Sequence, residues 1–407
     1  MNNIELLAPA GDLEKLKTAI IYGADAVYFG GELFSLRAGA GNLTIDEIIE
    51  AMDFIHSHSC KGYMTINIYP HNDDIPLLRD YITKLKDIPI DAFIVSDPGV
   101  MTILKEIIPD AEIHLSTQAN TTNFVTANFW VKNGVKRIVS AREMSLRDLS
   151  YMREQLPEDI EIESFVHGAM CISYSGRCLL SNFMVGRDAN RGACTHPCRW
   201  KYALVEEKRP GEYYPIEEDD RGSYILNSRD MCMIDSIPEL VQAGVTSFKI
   251  EGRMKSMYYV ATIVSAYRFA IDSYLQDPDS YVYDEKYFRE LCKASHREFT
   301  HGFYFNKPTD KDQNYITSDY TRDYSFVGLV EGYDTASGLT LVEQRNKFSV
   351  GDIVEIFGPR TEYYEEKITS MFDEEGNPID SAPHPQQKIK VKFNKVPGKD
   401  FIIRKKK

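Results

Sequence analysis

Eight short apolar segments alternate with amphipathic segments over about the first 275 residues, and this alternation constrains the fold more than any other feature. Each candidate strand except the seventh is followed by apolar residues in helical spacing. Strands that alternate with helices indicate a parallel sheet. Eight such units predict a TIM-type (β/α)8 barrel, with an open doubly wound sheet as the alternative. The candidate strands are residues 4–9, 25–31, 62–69, 91–96, 112–118, 136–141, 161–167 and 247–251.

About 80 residues separate the seventh and eighth candidate strands, far more than an ordinary connection between a strand and a helix. This insertion, at about 168–246, holds five of the seven cysteines of the chain, four of them within 28 residues. In a barrel, such an insertion lies over the C-terminal ends of the strands, where active sites form. The sequence therefore predicts a barrel domain over 1–310 with a cysteine-rich insertion at its open end.

The pattern changes after residue 310, where short strand-like segments alternate with Gly, Pro and Asp. We predict a small antiparallel β-barrel domain over 311–407. Residues 388–407 carry nine Lys or Arg and one Asp, a net charge of +8. Lys388, Lys390 and Lys392 would share one face of a strand. One interpretation is an edge strand that its lysines protect from pairing with other chains, followed by a solvated tail. The other is that the basic face binds RNA phosphates.

The overall charge and the absence of common motifs exclude several classes of function. The net charge of −14 argues against a general nucleic-acid coat protein, although a local basic surface is compatible with it. No apolar run reaches 18 residues and the N-terminus lacks the features of a signal peptide, so we expect a cytoplasmic protein without a membrane span. Neither G-x-G-x-x-G nor a P-loop occurs, and the peptidase motifs H-E-x-x-H and G-x-S-x-G are also missing.

Four cysteines in the insertion have the spacing C-x6-C-x15-C-x3-C. Four thiols on one loop of a cytoplasmic protein indicate a metal site rather than disulfides. The tight C-x2-C pairs of structural zinc sites are absent, and the looser spacing suits an iron–sulfur cluster at least as well. An iron–sulfur cluster, zinc and reduced structural cysteines all stay open at this point. The predicted ligands are Cys171, Cys178, Cys194 and Cys198, with Cys232 as the alternative fourth ligand.

Polar residues at the C-terminal ends of the candidate strands are the candidates for chemistry, because active sites of barrels form there. Lysine can form a Schiff base or bind an anion, and paired arginines can clamp a carboxylate or a phosphate. The predicted catalytic residues are Glu163, His167, Lys249 and Glu251. The predicted substrate-binding residues are Arg37, Asn67, Gln118 and Arg253.

Three stretches of the sequence resemble peptidase family U32. They are Leu7-Ala-Pro-Ala-Gly-Asp12, the stretch from Glu163-Ser-Phe-Val-His-Gly-Ala-Met-Cys171 to Cys178, and Ser247-Phe-Lys-Ile-Glu-Gly-Arg253. The resemblance covers essentially the whole chain, including the C-terminal β domain. The family has an old label, collagenase-like protease, and other members are oxygen-independent hydroxylases of tRNA, ribosomal RNA or a quinone precursor.

The sequence is most similar to the tRNA branch of this family. That resemblance implies formation of 5-hydroxyuridine at the wobble position of tRNA, with prephenate as a co-substrate and a paralogous subunit as a candidate partner. It also implies a [4Fe–4S] cluster on Cys171, Cys178, Cys194 and Cys198, with Cys232 replacing one ligand in some quinone-branch members. The alternatives are a peptidase, a hydroxylase of another RNA or of a small aromatic, and a zinc-stabilised RNA-binding protein.

Overall fold

A computed structural model of the chain describes residues 4–36, 41–170, 178, 180–195, 197, 203–204, 214–215, 229–306 and 320–407. All eight predicted strands are present, and consecutive strands pair in parallel. The eighth strand pairs with both the first and the seventh, so the predicted TIM-type barrel is confirmed. The first seven strands are β1 (Glu5–Pro9), β2 (Ala26–Gly30), β3 (Lys61–Ile66), β4 (Ala92–Val95), β5 (Ile113–Leu115), β6 (Arg137–Val139) and β7 (Glu161–Ala169).

Short strands of the insertion lie between the seventh and eighth strands of the barrel. They are β8 (Ala203–Leu204) and β9 (Tyr214–Pro215), which pair with each other, and β10 (Asp230–Cys232). The eighth barrel strand is β11 (Ser247–Ile250), and β12 (Phe299–Thr300) follows it in sequence. Because β10 runs antiparallel to β7 and parallel to β12, the insertion extends the barrel sheet outside the closed ring.

The helices between the barrel strands cover the outside of the barrel and bury apolar side chains in its core. The helix over 45–57 is typical: Thr44 caps its first turn together with Glu47, and Ile48, Met52 and Ile55 are buried. No helix in the described ranges is long and apolar enough to cross a bilayer. The helices are α1 (Leu13–Ile21), α2 (Ile45–Ser57), α3 (Ile75–Leu85), α4 (Pro98–Ile107), α5 (Phe124–Lys132), α6 (Leu146–Gln155), α7 (Leu180–Val185), α8 (Ile237–Gln242), α9 (Met257–Gln276) and α10 (Lys286–Leu291).

The predicted antiparallel β domain is also confirmed, and it has its own apolar core. Its main sheet has eight strands in the order β17-β16-β22-β13-β14-β21-β18-β19, and β15 pairs with β20 in a second small sheet. The strands are β13 (Tyr324–Asp334), β14 (Leu339–Gln344), β15 (Phe348–Ser349), β16 (Ile353–Gly358), β17 (Thr361–Lys367), β18 (Met371–Phe372), β19 (Pro378–Ile379), β20 (Ser381–Ala382), β21 (Lys388–Val391) and β22 (Ile402–Lys406).

The basic C-terminal segment is part of this sheet rather than an edge strand with a solvated tail, so that interpretation is wrong. β21 lies between β14 and β18, and β22 lies between β16 and β13. Lys388 pairs with Glu343 at 2.6 Å, and Lys405 pairs with Asp352 at 2.8 Å. Several of its cations are therefore neutralised within the domain, and Lys392 remains exposed.

The two domains pack against each other through a buried cluster of ion pairs. Arg404 is fully buried and lies 2.5 Å from Glu290 of the barrel domain and 2.7 Å from Glu355 of its own domain. Lys293 of the barrel domain also contacts Glu355, at 2.8 Å. The predicted boundary near residue 310 falls in 307–319, outside the described residues, and stays a prediction.

Candidate active site at the open end of the barrel

The N-terminal ends of the barrel strands enclose a network of buried charges. Arg137 begins β6, and its guanidinium lies 2.6 Å from Glu5 and 3.2 Å from Glu163. Lys249 Nζ lies 2.6 Å from the other oxygen of Glu163. Burial would raise the pKa of Glu5, but the charge and hydrogen bonds of Arg137 outweigh it and lower this pKa to about 2. The network therefore balances its own charges within the barrel.

Two of the predicted catalytic residues, Glu163 and Lys249, belong to this network. Both are buried, and Lys249 Nζ also lies 4.2 Å from the centre of the Tyr28 ring. Their position on the third residues of β7 and β11 places them in the barrel interior, below the C-terminal ends of the strands. The structure thus gives them a structural role in pairing charges, and their catalytic role stays a prediction.

A cavity of about 740 Å³ lies at the opposite end, above the C-terminal ends of β7 and β11. Its barrel side includes Ala169, which ends β7, and Glu251 and Gly252, which follow β11. Cys194 of the insertion lines the same cavity. The volume is within the range of about 300–1,000 Å³ that is usual for small-molecule sites. Because barrel active sites form at this end, the cavity is the candidate active site.

Glu251 is the member of the predicted catalytic set that lines this cavity. Its backbone passes close to Gly168, which has a φ of +110°, and a side chain at that position would meet the Glu251 carbonyl oxygen at 2.6 Å. The Glu251 carboxylate lies 3.6 Å from the guanidinium of Arg142, which also donates to the Ala169 carbonyl oxygen at 2.8 Å. The carboxylate is thus held at the cavity by an ion pair that is longer than a hydrogen bond.

Two of the predicted metal ligands, Cys178 and Cys194, lie in segments that are tied together. Cys178 N donates to Asn190 Oδ1 at 3.2 Å, and Asn190 Nδ2 donates to Cys178 O at 3.2 Å. Thr195, next to Cys194, donates its backbone N–H to Ser181 Oγ at 3.1 Å. These contacts keep the two cysteine segments side by side.

The surroundings of Cys178 fit a metal-bound thiolate. The Leu180 backbone N–H donates to Cys178 Sγ, with an N···S distance of 3.4 Å, and N–H groups directed at sulfur stabilise its anionic form. Cys178 and Cys194 are both half-buried and neither is in a disulfide. Within the described part of the chain, no three His, Cys, Asp or Glu side chains converge as a metal site. Cys171 and Cys198 lie outside the described residues, and their roles as ligands stay predictions.

Cys232, the alternative fourth ligand, lies in the apolar core instead. Its Sγ is 3.9 Å from the hydroxyl of Tyr267 on α9, and burial raises its pKa to about 12. A thiol with such a pKa resists the deprotonation that metal binding requires. Cys232 does not form a group with Cys178 and Cys194 among the described residues.

Arg253 is enclosed at the rim of the barrel by the connection between β2 and α2. It donates to Ser35 Oγ at 2.7 Å and to Asn42 Oδ1 at 2.6 Å. Gly30 permits this approach, because a side chain there would meet the guanidinium at 2.3 Å. Ser35 and Asn42 flank residues 37–40, which include Arg37 and lie outside the described residues. Arg253 is therefore next to both ends of the segment that carries its predicted partner.

Asn67 and Gln118 are brought together by Ser116. Asn67 Nδ2 donates to Ser116 Oγ at 3.5 Å, and the Gln118 backbone N–H donates to the same oxygen at 3.3 Å. Asn67 Oδ1 accepts from the backbone N–H of Leu36, which lines the cavity. The two predicted substrate-binding residues thus lie behind the cavity wall, and substrate binding by them stays a prediction.

His167 packs away from the cavity, among aromatic rings. The ring centres of Tyr259, Tyr267 and Phe299 lie 5.5–6.1 Å from that of His167. Burial, together with the charges of Lys255 and His296, lowers the pKa of His167 to about 3. The histidine is therefore neutral at physiological pH, and its catalytic role stays a prediction.

Several residues that line the cavity were not predicted from the sequence. Arg187 of the insertion, Lys255 after β11 and Arg322 before β13 line it, together with Tyr320 and Tyr324. A signal was present in the spacing of Tyr320, Arg322 and Tyr324, because every second residue of an extended chain faces the same side. These three residues lie outside the barrel strands, whose C-terminal ends supplied the predicted site residues.

The comparisons with known proteins agree with this fold. The model of Peptidase family U32 matches residues 11–314, and the model of its C-terminal domain matches residues 322–404. "tRNA hydroxylation protein P1" of Bacillus subtilis is 43% identical over 401 residues, covering 98% of this chain and 94% of that protein. "tRNA hydroxylation protein P" of Escherichia coli is 38% identical, covering 88% and 86%. "Collagenase" of Porphyromonas gingivalis is 32% identical, covering 91% and 90%.

The fold and the site define a (β/α)8-barrel protein with a cysteine-bearing insertion over the cavity at its open end. The family matches also include the second domain, since the model of the main domain is followed along the chain by the model of the C-terminal domain. The chain belongs to peptidase family U32, and the resemblance found in the sequence is confirmed.

Proposed function

We propose that this protein hydroxylates RNA, and specifically that it forms 5-hydroxyuridine at the wobble position of tRNA. The names of two bacterial relatives support this assignment. These relatives are identical to this chain at 38% and 43% of positions and cover 88% and 98% of it. The observation that carries the proposal is that Cys194 and Glu251 line one cavity at the open end of the barrel. A cysteine ligand of the proposed redox cluster and a proton-transfer carboxylate would then face the same bound base.

A [4Fe–4S] cluster on Cys171, Cys178, Cys194 and Cys198 is part of this proposal. Such a cluster supplies one-electron redox chemistry when it is bound. The described residues fit it in two ways: the Leu180 N–H is directed at Cys178 Sγ, and Arg187 brings positive charge to the cavity beside Cys194. Positive charge and N–H donors both favour the thiolate form that ligates iron.

Glu251 is the proposed proton-transfer residue of the cavity. Its carboxylate is 16% exposed, so it is open to a bound molecule, and it lies 3.6 Å from the guanidinium of Arg142. General acids and bases contribute about 10²–10⁴-fold to a reaction when they are placed next to the transferred proton. Because Glu251 lines the cavity, it would lie next to a base that binds there.

Prephenate is the proposed co-substrate, and its carboxylates require cations. Arg253 and Arg37 remain the proposed clamp, because Arg253 contacts Ser35 and Asn42 on either side of 37–40. Paired arginines suit the bidentate binding of a carboxylate. A paralogous partner subunit is a further part of the proposal, and the complementation experiments below supply it together with this gene.

The function is tested by nucleoside mass spectrometry of tRNA from a strain that lacks this gene and any paralogue. We expect 5-hydroxyuridine and its derivatives to disappear and to return when the gene is restored. Undiminished 5-hydroxyuridine in the deletion strain would contradict the tRNA assignment.

The cofactor is tested by anaerobic purification followed by analysis of iron, sulfide and zinc. We expect iron and sulfide in the wild-type protein and in the Cys292→Ser control, and their loss in Cys178→Ser. Cys292 is a suitable control because it follows α10 and is not itself among the cavity-lining residues. A protein that contains zinc and no iron under these conditions would contradict the cluster.

Peptide hydrolysis is the second candidate function, favoured by the similarity to the Porphyromonas gingivalis collagenase. It is distinguished by a cleavage assay on gelatin with Cys178→Ser. Loss of iron with retained cleavage would favour the peptidase and would count against a role of the cysteines in the reaction.

A further inference from the structure

Three alternate residues at the start of the C-terminal domain face the cavity: Tyr320, Arg322 and Tyr324. We call them the tyrosine–arginine strip. Thr321, between the first two, is bridged to the barrel domain: Thr321 N donates to His296 O at 2.8 Å, and His296 N donates to Thr321 O at 3.3 Å. The bridge holds the chain extended, so the side chains of the strip share one side.

The strip lies opposite the barrel side of the same cavity. Cys194 and Glu251 belong to the barrel domain and its insertion, whereas the strip belongs to the C-terminal domain. The cavity is therefore completed by both domains.

The charge of the cavity is the reverse of the charge of the whole protein. The chain carries −14 overall, yet among the described residues that line the cavity the charged side chains are those of Arg187, Lys255 and Arg322 against the carboxylate of Glu251. Lys255 is fixed by the strip itself, because its Nζ lies 4.0 Å from the centre of the Tyr320 ring. A local excess of cations in an acidic protein indicates an anionic ligand.

Other groups along the cavity suit phosphate oxygens. Ser256 and Ser295 line it, and Ser256 is also the N-cap of the 20-residue helix α9. Hydroxyls, guanidinium groups and ammonium groups are the usual partners of nucleic-acid phosphates. Arg322 is exposed at the rim, as a residue that binds a polymer passing over the cavity must be.

We propose that Arg322, Lys255 and Arg187 bind an RNA phosphodiester across the junction of the two domains, next to the nucleotide that enters the cavity. This inference rests on the proposed RNA substrate and adds the site that positions it. Arg322 is a positioning residue in this scheme, because it holds the strand while the reaction takes place at the other side of the cavity. The C-terminal domain is then a part of the active site.

The test measures binding of a fluorescently labelled tRNA anticodon stem-loop to the full-length protein by anisotropy over a range of salt concentrations. We expect Arg322→Ala to weaken binding about tenfold and to reduce the slope of log K against log salt by about 0.7–1, the value of one lost phosphate contact. Arg322→Lys should keep most of the salt slope. The melting temperature should be unchanged, since Arg322 is exposed.

Lys392→Ala is the matched control, because Lys392 is an exposed cation of the same domain and is not among the cavity-lining residues. We expect it to bind the stem-loop like the wild type. Loss of binding in Lys392→Ala with full binding in Arg322→Ala would overturn the proposal and would assign the phosphates to the basic C-terminal segment.

A second arm separates RNA from a small anion. We expect inorganic phosphate to compete with the stem-loop more weakly for Arg322→Ala than for the wild type. If Arg322→Ala binds RNA normally and instead raises the KM for prephenate, the phosphodiester assignment is overturned. Because binding is measured without hydroxylation, a stem-loop that binds through Arg322 but is not hydroxylated would contradict the proposed function alone.

Discussion

The two ends of the barrel use the same residue types in opposite ways. At the N-terminal end, Arg137, Glu5, Glu163 and Lys249 contact one another at 2.6–3.2 Å and are shielded from solvent. At the C-terminal end, Glu251 has a 3.6 Å ion pair and faces a cavity in which cations are in excess. Charges that neutralise one another stabilise the fold, whereas charges that remain accessible are able to bind a ligand.

The largest expected effect on stability is at the closed end. Arg137→Met leaves the carboxylates of Glu5 and Glu163 without their shared partner. Breaking a buried ion pair in this way costs about 3–5 kcal/mol. Urea unfolding should show this loss, whereas Arg79→Met, which removes an exposed pair with Glu106, should change the free energy of unfolding by less than about 1 kcal/mol. Equal losses in both variants would contradict the comparison.

The pair of Glu163 and Lys249 should show strong coupling. Lys249→Met leaves excess negative charge in the barrel, and Glu163→Gln leaves excess positive charge, but the double variant restores the balance. We expect the loss of unfolding free energy in the double variant to be about 1–3 kcal/mol smaller than the sum of the losses in the two single variants. Additive losses in urea unfolding would show that the two charges do not support each other.

His167 should make the protein less stable in acid. Its pKa is about 3 in the folded state, against 6.5 as the ordinary value, so the unfolded chain takes up a proton first as the pH falls. This contribution is absent above pH 6.5 and should remove about 2 kcal/mol of stability by pH 5. His167→Phe should flatten the dependence of the free energy of unfolding on pH in this window. An unchanged slope would show that the histidine titrates normally.

The smallest effect on stability is expected at the open end. Glu251→Gln should change the free energy of unfolding by less than about 1 kcal/mol, because its ion pair with Arg142 is long and partly exposed. Hydroxylation should nevertheless fall by about 100-fold or more, as for the loss of a general acid or base. A stable variant with normal tRNA hydroxylation would remove Glu251 from the proposed reaction.

The sequence predicted the barrel well because each strand and helix has its own periodicity. Every predicted barrel strand is present, and helices such as those over 75–85 and 124–132 follow the strands as the spacing predicts. The short helices α7, α8 and α10 were missed, since six residues contain less than two turns of helical pattern. The position of β21 inside a sheet was also missed, because alternation of Lys with apolar residues does not reveal the neighbours of a strand.

The site was harder to predict, because its polar residues were chosen by their place in the sequence. Glu163 is the third residue of β7 and Glu251 directly follows β11; Glu163 is fully buried, whereas Glu251 lines the cavity. The difference comes from the partners that the fold brings to them, Arg137 and Lys249 for Glu163. Arg322 was missed for the same reason, since its place in the cavity depends on the packing of a second domain.

The central claim is that the cysteine-bearing cavity at the open end is the site of tRNA hydroxylation. The most direct test is to complement the deletion strain with Cys194→Ser or with Cys60→Ser and to measure 5-hydroxyuridine in tRNA by mass spectrometry. Cys60 is the matched control, because it is a half-buried thiol that donates to Ala24 O before β3, and serine keeps a donor there. We expect Cys60→Ser to restore the modification and Cys194→Ser to leave it absent at equal protein levels. Restoration by both variants would contradict the account.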